Sequence, residues 1–113
     1  MSASSPPDEL ADAGYPIGHT YVFDIGVAQI EHTVDSLHSL RYRILSGERA
    51  GGAGSVAVQV RALRPDLYLV SWQEADQLSV VHVEDFAAGR FEACITFPDL
   101  SFRRLSGKMW RVA

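Results

Sequence analysis

Beyond Gly18 the chain alternates apolar and polar residues in short runs. Residues 18–25 set Tyr21, Phe23 and Ile25 against Thr20, Val22 and Asp24. Residues 39–46 set Leu40, Tyr42 and Ile44 against Arg41, Arg43 and Leu45, and residues 55–63 set Val56, Val58 and Val60 against Ala57, Gln59 and Arg61. A period of two in segments rich in β-branched and aromatic residues predicts half-buried strands, because successive side chains on an extended backbone point to opposite faces. Segments 67–74, 78–86, 90–97 and 108–112 continue the series. Segment 27–34 is a weaker strand, interrupted by Gln29, Glu31 and His32.

Turn-forming residues separate these runs: Asp35-Ser36, the stretch from Gly47 to Gly54, Arg64-Pro65-Asp66, Ala75-Asp76-Gln77, Ala87-Ala88-Gly89 and Pro98-Asp99. After Pro16 no stretch carries a helical i, i+3, i+4 stripe, and only residues 8–13 suit a turn of helix. Eight consecutive hairpin-linked strands predict an all-β domain closed as one up-and-down antiparallel barrel, since closure removes exposed strand edges. An open two-sheet sandwich is the alternative. A barrel of eight strands has room for one small ligand.

At 113 residues the chain is one domain, and its 47% hydrophobic content supplies a core without disulfide or metal staples. The single cysteine, Cys94, forms no internal disulfide. With a net charge of −4 and scattered basic residues, nucleic acid is not an expected partner. No segment has the length and apolarity of a membrane span, so no membrane partner is expected either. Residues 1–16 open polar and proline-containing, a flexible lead-in rather than a secretory leader, and a cytoplasmic location is the expectation.

Phosphate-loop, nucleophile-elbow, Cys-x-x-Cys and His-Glu-x-x-His patterns are all absent, and Gly51-Gly52-Ala53-Gly54 lacks the strand–helix context of a dinucleotide site. The four histidines, His19, His32, His38 and His82, have no recognised metal-ligand spacing, although His32 and His38 flank one predicted turn. No metal or cofactor is expected. The strongest chemical signal lies in two neighbouring strands. Tyr68, Val70, Trp72 and Glu74 share one face of the first, and Val80, His82 and Glu84 share one face of the second. Were both faces inward, a carboxylate and an imidazole would hang in an apolar cavity, a pair suited to acid/base work or to anchoring a ligand. Were they outward, the same groups would simply be solvated, and parity alone leaves the two open.

The elements Arg41-Tyr42-Arg43-Ile44-Leu45-Ser46-Gly47, Gly51-Gly52, Ser71-Trp72-Gln73-Glu74 and Val80 to Phe86 resemble the MoaF-like proteins and, more distantly, the bacterial phenolic acid decarboxylases. The resemblance spans about Gly18 to Pro98 and implies a lipocalin-like (calycin) barrel over residues 17–113. It turns the Tyr68, Trp72, Glu74 face and the Val80, His82 face inward. It names Glu74 and His82 as tentative catalytic residues, and Tyr21, Phe23, Leu40, Tyr42, Ile44, Tyr68, Val70, Trp72, Val80 and Cys94 as ligand-binding. It also disfavours decarboxylation. The decarboxylases' carboxylate-gripping arginine falls on Gly52 here, with only Arg49 nearby, while their second and third tyrosines become Phe23 and Gln29. The MoaF-like name suggests molybdenum cofactor biosynthesis, yet no residues read as a pterin or molybdate site.

The expected function is therefore binding of a small hydrophobic or aromatic molecule, with Glu74 and His82 as polar anchors. An isomerase- or lyase-type enzyme using the same pair is the alternative, and a solidly packed interaction module a third. Leu63, Leu69 and Val81, if outward, suit a homodimer.

Overall fold

A computed structural model describes residues 12–113. Eight strands follow one another: β1 (Thr20–Asp24), β2 (Gln29–Ser36), β3 (Ser39–Ile44), β4 (Ala53–Arg64), β5 (Leu67–Gln73), β6 (Ser79–Asp85), β7 (Arg90–Thr96) and β8 (Phe102–Arg111). Each pairs antiparallel with the next, and β8 returns to β1 through Tyr21↔Arg111 to Asp24↔Lys108, closing an up-and-down barrel with no free edge. No helix among the described residues is long and apolar enough to cross a membrane. The expected helical turn at residues 8–13 lies almost wholly outside the described residues.

Two boundaries differ from the pattern-based expectation. β2 is a full strand rather than a weak one: its inward series is Ile30, His32, Val34, and Gln29, Glu31 and Thr33 make up the opposite parity. The polar residues that seemed to interrupt it are simply its other face, apart from His32 itself. β8 begins at Phe102, six positions before the expected 108, because its inward series reads Leu105, Gly107, Met109 and a glycine stands where an apolar side chain would have revealed the alternation. That glycine has a steric reason. A Cβ at Gly107 would collide with the backbone carbonyl of Asp24 and press on the Phe91 ring, so the closing contact of β8 with β1 admits no side chain there.

The inward residues fall into two clusters. Val34, Leu40, Val58, Tyr68 and Val70 gather around Tyr15, and Phe91, Ala93 and Met109 gather around Phe23. In an up-and-down barrel the connections alternate between the ends. The β2–β3, β4–β5 and β6–β7 turns lie at one end, which is plugged by aromatic rings packed edge to face. Tyr15 meets Tyr68 edge-on at 5.1 Å and Phe86 at 5.8 Å, and Tyr21 meets Phe86 at 5.0 Å. Such edge-to-face pairs match the ring quadrupoles as well as burying area.

The plug draws in part of the expected lead-in. Of its residues, 1–11 lie outside the described residues, but 12–16 are held in place. The Ala62 N–H donates to Asp12 Oδ1 at 2.6 Å, and the Tyr15 ring is 3% exposed. Domain packing thus begins before residue 17, because Tyr15 finds an aromatic socket that a local reading of a polar segment does not register.

Candidate functional site

Above the plug the interior is not filled. A cavity of about 220 Å³ lies toward the end formed by the β1–β2, β3–β4, β5–β6 and β7–β8 connections. Its wall is mostly apolar, with Phe23, Leu40, Ile44, Val80 and Phe91 among the residues, and Tyr42 and Trp72 add aromatic surface. His32 and His82 supply its imidazoles, Glu74 its carboxylate and the exposed Arg49 of the β3–β4 connection its cation.

His82 stands on β6 between Val80 and Glu84, all three inward and buried. Its Nδ1 lies 2.9 Å from Glu84 Oε2. Glu84 is wholly buried, and its other oxygen, Oε1, accepts a 2.7 Å hydrogen bond from the Tyr15 hydroxyl. Burial first, and the adjacent Glu84 charge second, push the Tyr15 phenol well above its ordinary value near 10, so the hydroxyl keeps its proton and donates. A hydrogen-bonded chain therefore runs from the plug through Glu84 to a ring on the cavity wall. A carboxylate holding one imidazole nitrogen fixes the tautomer and orientation of the other.

His32 faces His82 from β2. The two rings are nearly parallel, 10° apart in plane and 5.8 Å between centroids. Trp72 closes on both edge-on, at 4.8 Å from His82 and 5.5 Å from His32, and Phe23 flanks His32 at 4.6 Å. Burial, and secondarily the neighbouring His82, lower the His32 pKa from 6.5 to about 3, so this imidazole is neutral at physiological pH. Its Nδ1 is buried and has no hydrogen-bond partner among the described residues.

Glu74 is not the partner of His82. It sits half-buried just beyond the end of β5, and its Oε2 accepts a 3.3 Å hydrogen bond from the Trp72 indole N–H. The carboxylate that engages His82 is Glu84, two residues along the same strand face. The i, i+2 parity of His82 and Glu84 carried that signal. His32 was legible in the same way, from its place between Ile30 and Val34.

The remaining expected ligand-binding residues divide. Phe23, Leu40, Tyr42, Ile44, Trp72 and Val80 line the cavity. Tyr21 and Tyr68 instead join the aromatic plug, and Val70 is wholly buried in the core beside them. Cys94 is a correction. It follows inward Ala93 and precedes Ile95, both cavity-lining, so its own side chain has the outward parity, between Val81 and Arg104 on the neighbouring strands. His32 and His38 do not face each other either, since His32 is opposite Tyr42 inside the barrel and His38 is exposed in the β2–β3 turn. Among the described residues no group of three His, Cys, Asp or Glu side chains is placed to hold a metal ion.

Fold and cavity together define a small closed antiparallel barrel with a plugged end and an internal chamber. Residues 17–110 match the MoaF-like family model, and the chain belongs to the MoaF-like family. A crystal structure provisionally described as a beta-lactamase from Burkholderia vietnamiensis is similar over 85% of this chain and 94% of its own, at 34% sequence identity and a TM-score of 0.81. No curated protein matches the chain.

Proposed function

We propose that this barrel binds a small, uncharged, ring-sized molecule in its chamber in the manner of calycins, with apolar and aromatic walls supplying affinity and His82 and Glu74 supplying orientation. The observation that carries this reading is the chamber itself: about 220 Å³ of space left inside a barrel of only eight strands, with a hydrogen-bonded imidazole on its wall. An apolar cavity of roughly 150 Å³ is enough to admit a benzene ring.

A second reading draws on the Tyr15–Glu84–His82 chain. A carboxylate-oriented imidazole in an apolar chamber is the arrangement that general acid–base catalysis uses, which favours isomerase- or lyase-type chemistry as the alternative. The description of the Burkholderia barrel does not transfer readily. Serine β-lactamases use Ser-x-x-Lys, whereas the only lysine here, Lys108, has Leu105 three residues before it.

The test is a panel of one- and two-ring aromatic compounds, followed by Trp72 fluorescence and by thermal shift. Saturable binding is expected in the native chain and loss of it in Ala93→Leu, which adds volume at a buried wall position. Absence of saturable binding across the panel, or equal binding by Ala93→Leu, would overturn the reading.

A further inference from the structure

We propose that the His32–His82 pair is a polarity-coded recognition site for a neutral planar ligand that gives a hydrogen bond to His82 and takes one from His32 across a single ring. The inference rests on the chamber being a binding site and specifies what that site selects.

The polarity follows from the partners on the page. The Tyr15 hydroxyl donates to Glu84 Oε1, which leaves Oε2 to accept from His82 Nδ1–H. A neutral imidazole has one N–H and one bare nitrogen, so in that form a His82 whose Nδ1 proton is held by Glu84 has Nε2 left as a hydrogen-bond acceptor for a ligand in the chamber it lines. His32 is coded the opposite way. Its Nδ1 is buried without a partner among the described residues. A buried N–H lacking an acceptor is rarer and costlier than an under-used lone pair, so the proton belongs on Nε2 and His32 offers a donor. Its depressed pKa keeps the ring neutral, with this single N–H.

Spacing selects the ligand's shape. Two nearly parallel rings 5.8 Å apart do not converge along their planes on one ligand atom, and two atoms separated by about the width of a ring answer them better. Substituents in a 1,3 relation on a six-membered ring meet that condition. Trp72, Phe23 and Phe91 around the pair provide faces for the ring itself. Anions are selected against, because a wholly buried carboxylate behind His82 repels a second negative charge.

The experiment compares 1,3-dihydroxybenzene, 1,3-dimethoxybenzene and m-xylene as probes of similar ring size. The first both donates and accepts, the second only accepts, and the third does neither. The expected result is at least tenfold tighter binding of 1,3-dihydroxybenzene than of either other probe, and a smaller preference in His32→Phe, where only the bond to His82 remains, with m-xylene binding retained. Equal affinity for all three overturns the recognition code while leaving the chamber as a binding site. Failure of all three to bind overturns both readings. Ring ¹⁵N shifts of the ligand-free native protein give an independent check that needs no variant to fold: His32 is expected as the Nε2–H tautomer and His82 as the Nδ1–H tautomer, and the reverse assignment in either ring overturns the proposal.

Discussion

Glu84 Oε2 lies 2.9 Å from Nδ1 of His82, the residue two positions earlier on the same inward strand face. Glu84 would be costly to bury alone, because an ionised carboxylate removed from water must find partners in full. It has two, His82 and Tyr15, and each depends on it in turn. Glu84→Leu is therefore expected to orphan both the phenol and the imidazole, at about 1–3 kcal/mol for each unpaired group. Urea unfolding of the variant at neutral pH measures the loss, and a change below about 0.5 kcal/mol would show that these hydrogen bonds contribute little.

His32 makes stability depend on acid. Its pKa is near 6.5 when the chain is unfolded and about 3 in the folded barrel, so between these values the unfolded state binds more protons. Stability must then rise with pH across that window and fall as pH drops below 6.5, by up to about 1.4 kcal/mol per pH unit from this group. Urea midpoints compared at pH 7 and pH 5 should show a smaller acid loss in His32→Phe than in the native chain.

Tyr15 gives the opposite limb. Its folded pKa lies well above the unfolded value near 10, so its contribution is complete below pH 10 and is lost as pH rises past it. Tyr15→Phe should lower stability at pH 7 through loss of the bond to Glu84. The same variant should show a shallower stability loss above pH 10 than the native chain, read by circular dichroism during alkaline titration.

Gly107→Ala tests closure of the barrel. Its methyl would meet the Asp24 carbonyl and the Phe91 ring, so β8 must shift away from β1. Destabilisation of about 1–3 kcal/mol, the usual cost of overpacking, is expected in thermal or urea unfolding, with amide exchange quickening first in the β1–β8 ladder. A native-like melting temperature would show that the seam accommodates a side chain.

Phe91 is 2% exposed and borders both the core cluster at Phe23 and the chamber. Phe91→Ala should cost about 3–5 kcal/mol and enlarge the chamber. If the enlarged space joins the existing one, larger two-ring compounds should gain affinity relative to single rings in the fluorescence assay.

What the chain determined locally was the barrel's wall. Apolar–polar alternation grouped Phe23, Leu40 and Tyr42, and likewise Trp72, Val80 and His82, onto single strand faces, because side-chain direction on an extended strand is a property of neighbouring residues alone, while the resemblance turned the Trp72 and His82 faces inward. The same logic contained His32 and Glu84, whose polar character obscured their inward parity, and it failed at Gly107, where the inward position has no side chain. Cys94 was misplaced when the local parity set by Phe91 and Ala93 gave way to resemblance. Which end of the barrel is plugged, and what partners the buried Glu84 carboxyl, depends on contacts between distant strands. Tyr15 and Glu84 are 69 positions apart, and no local pattern links them. Closure of eight strands brings them within hydrogen-bonding distance, seating Tyr15 in the plug and tying it through Glu84 to His82 on the chamber wall.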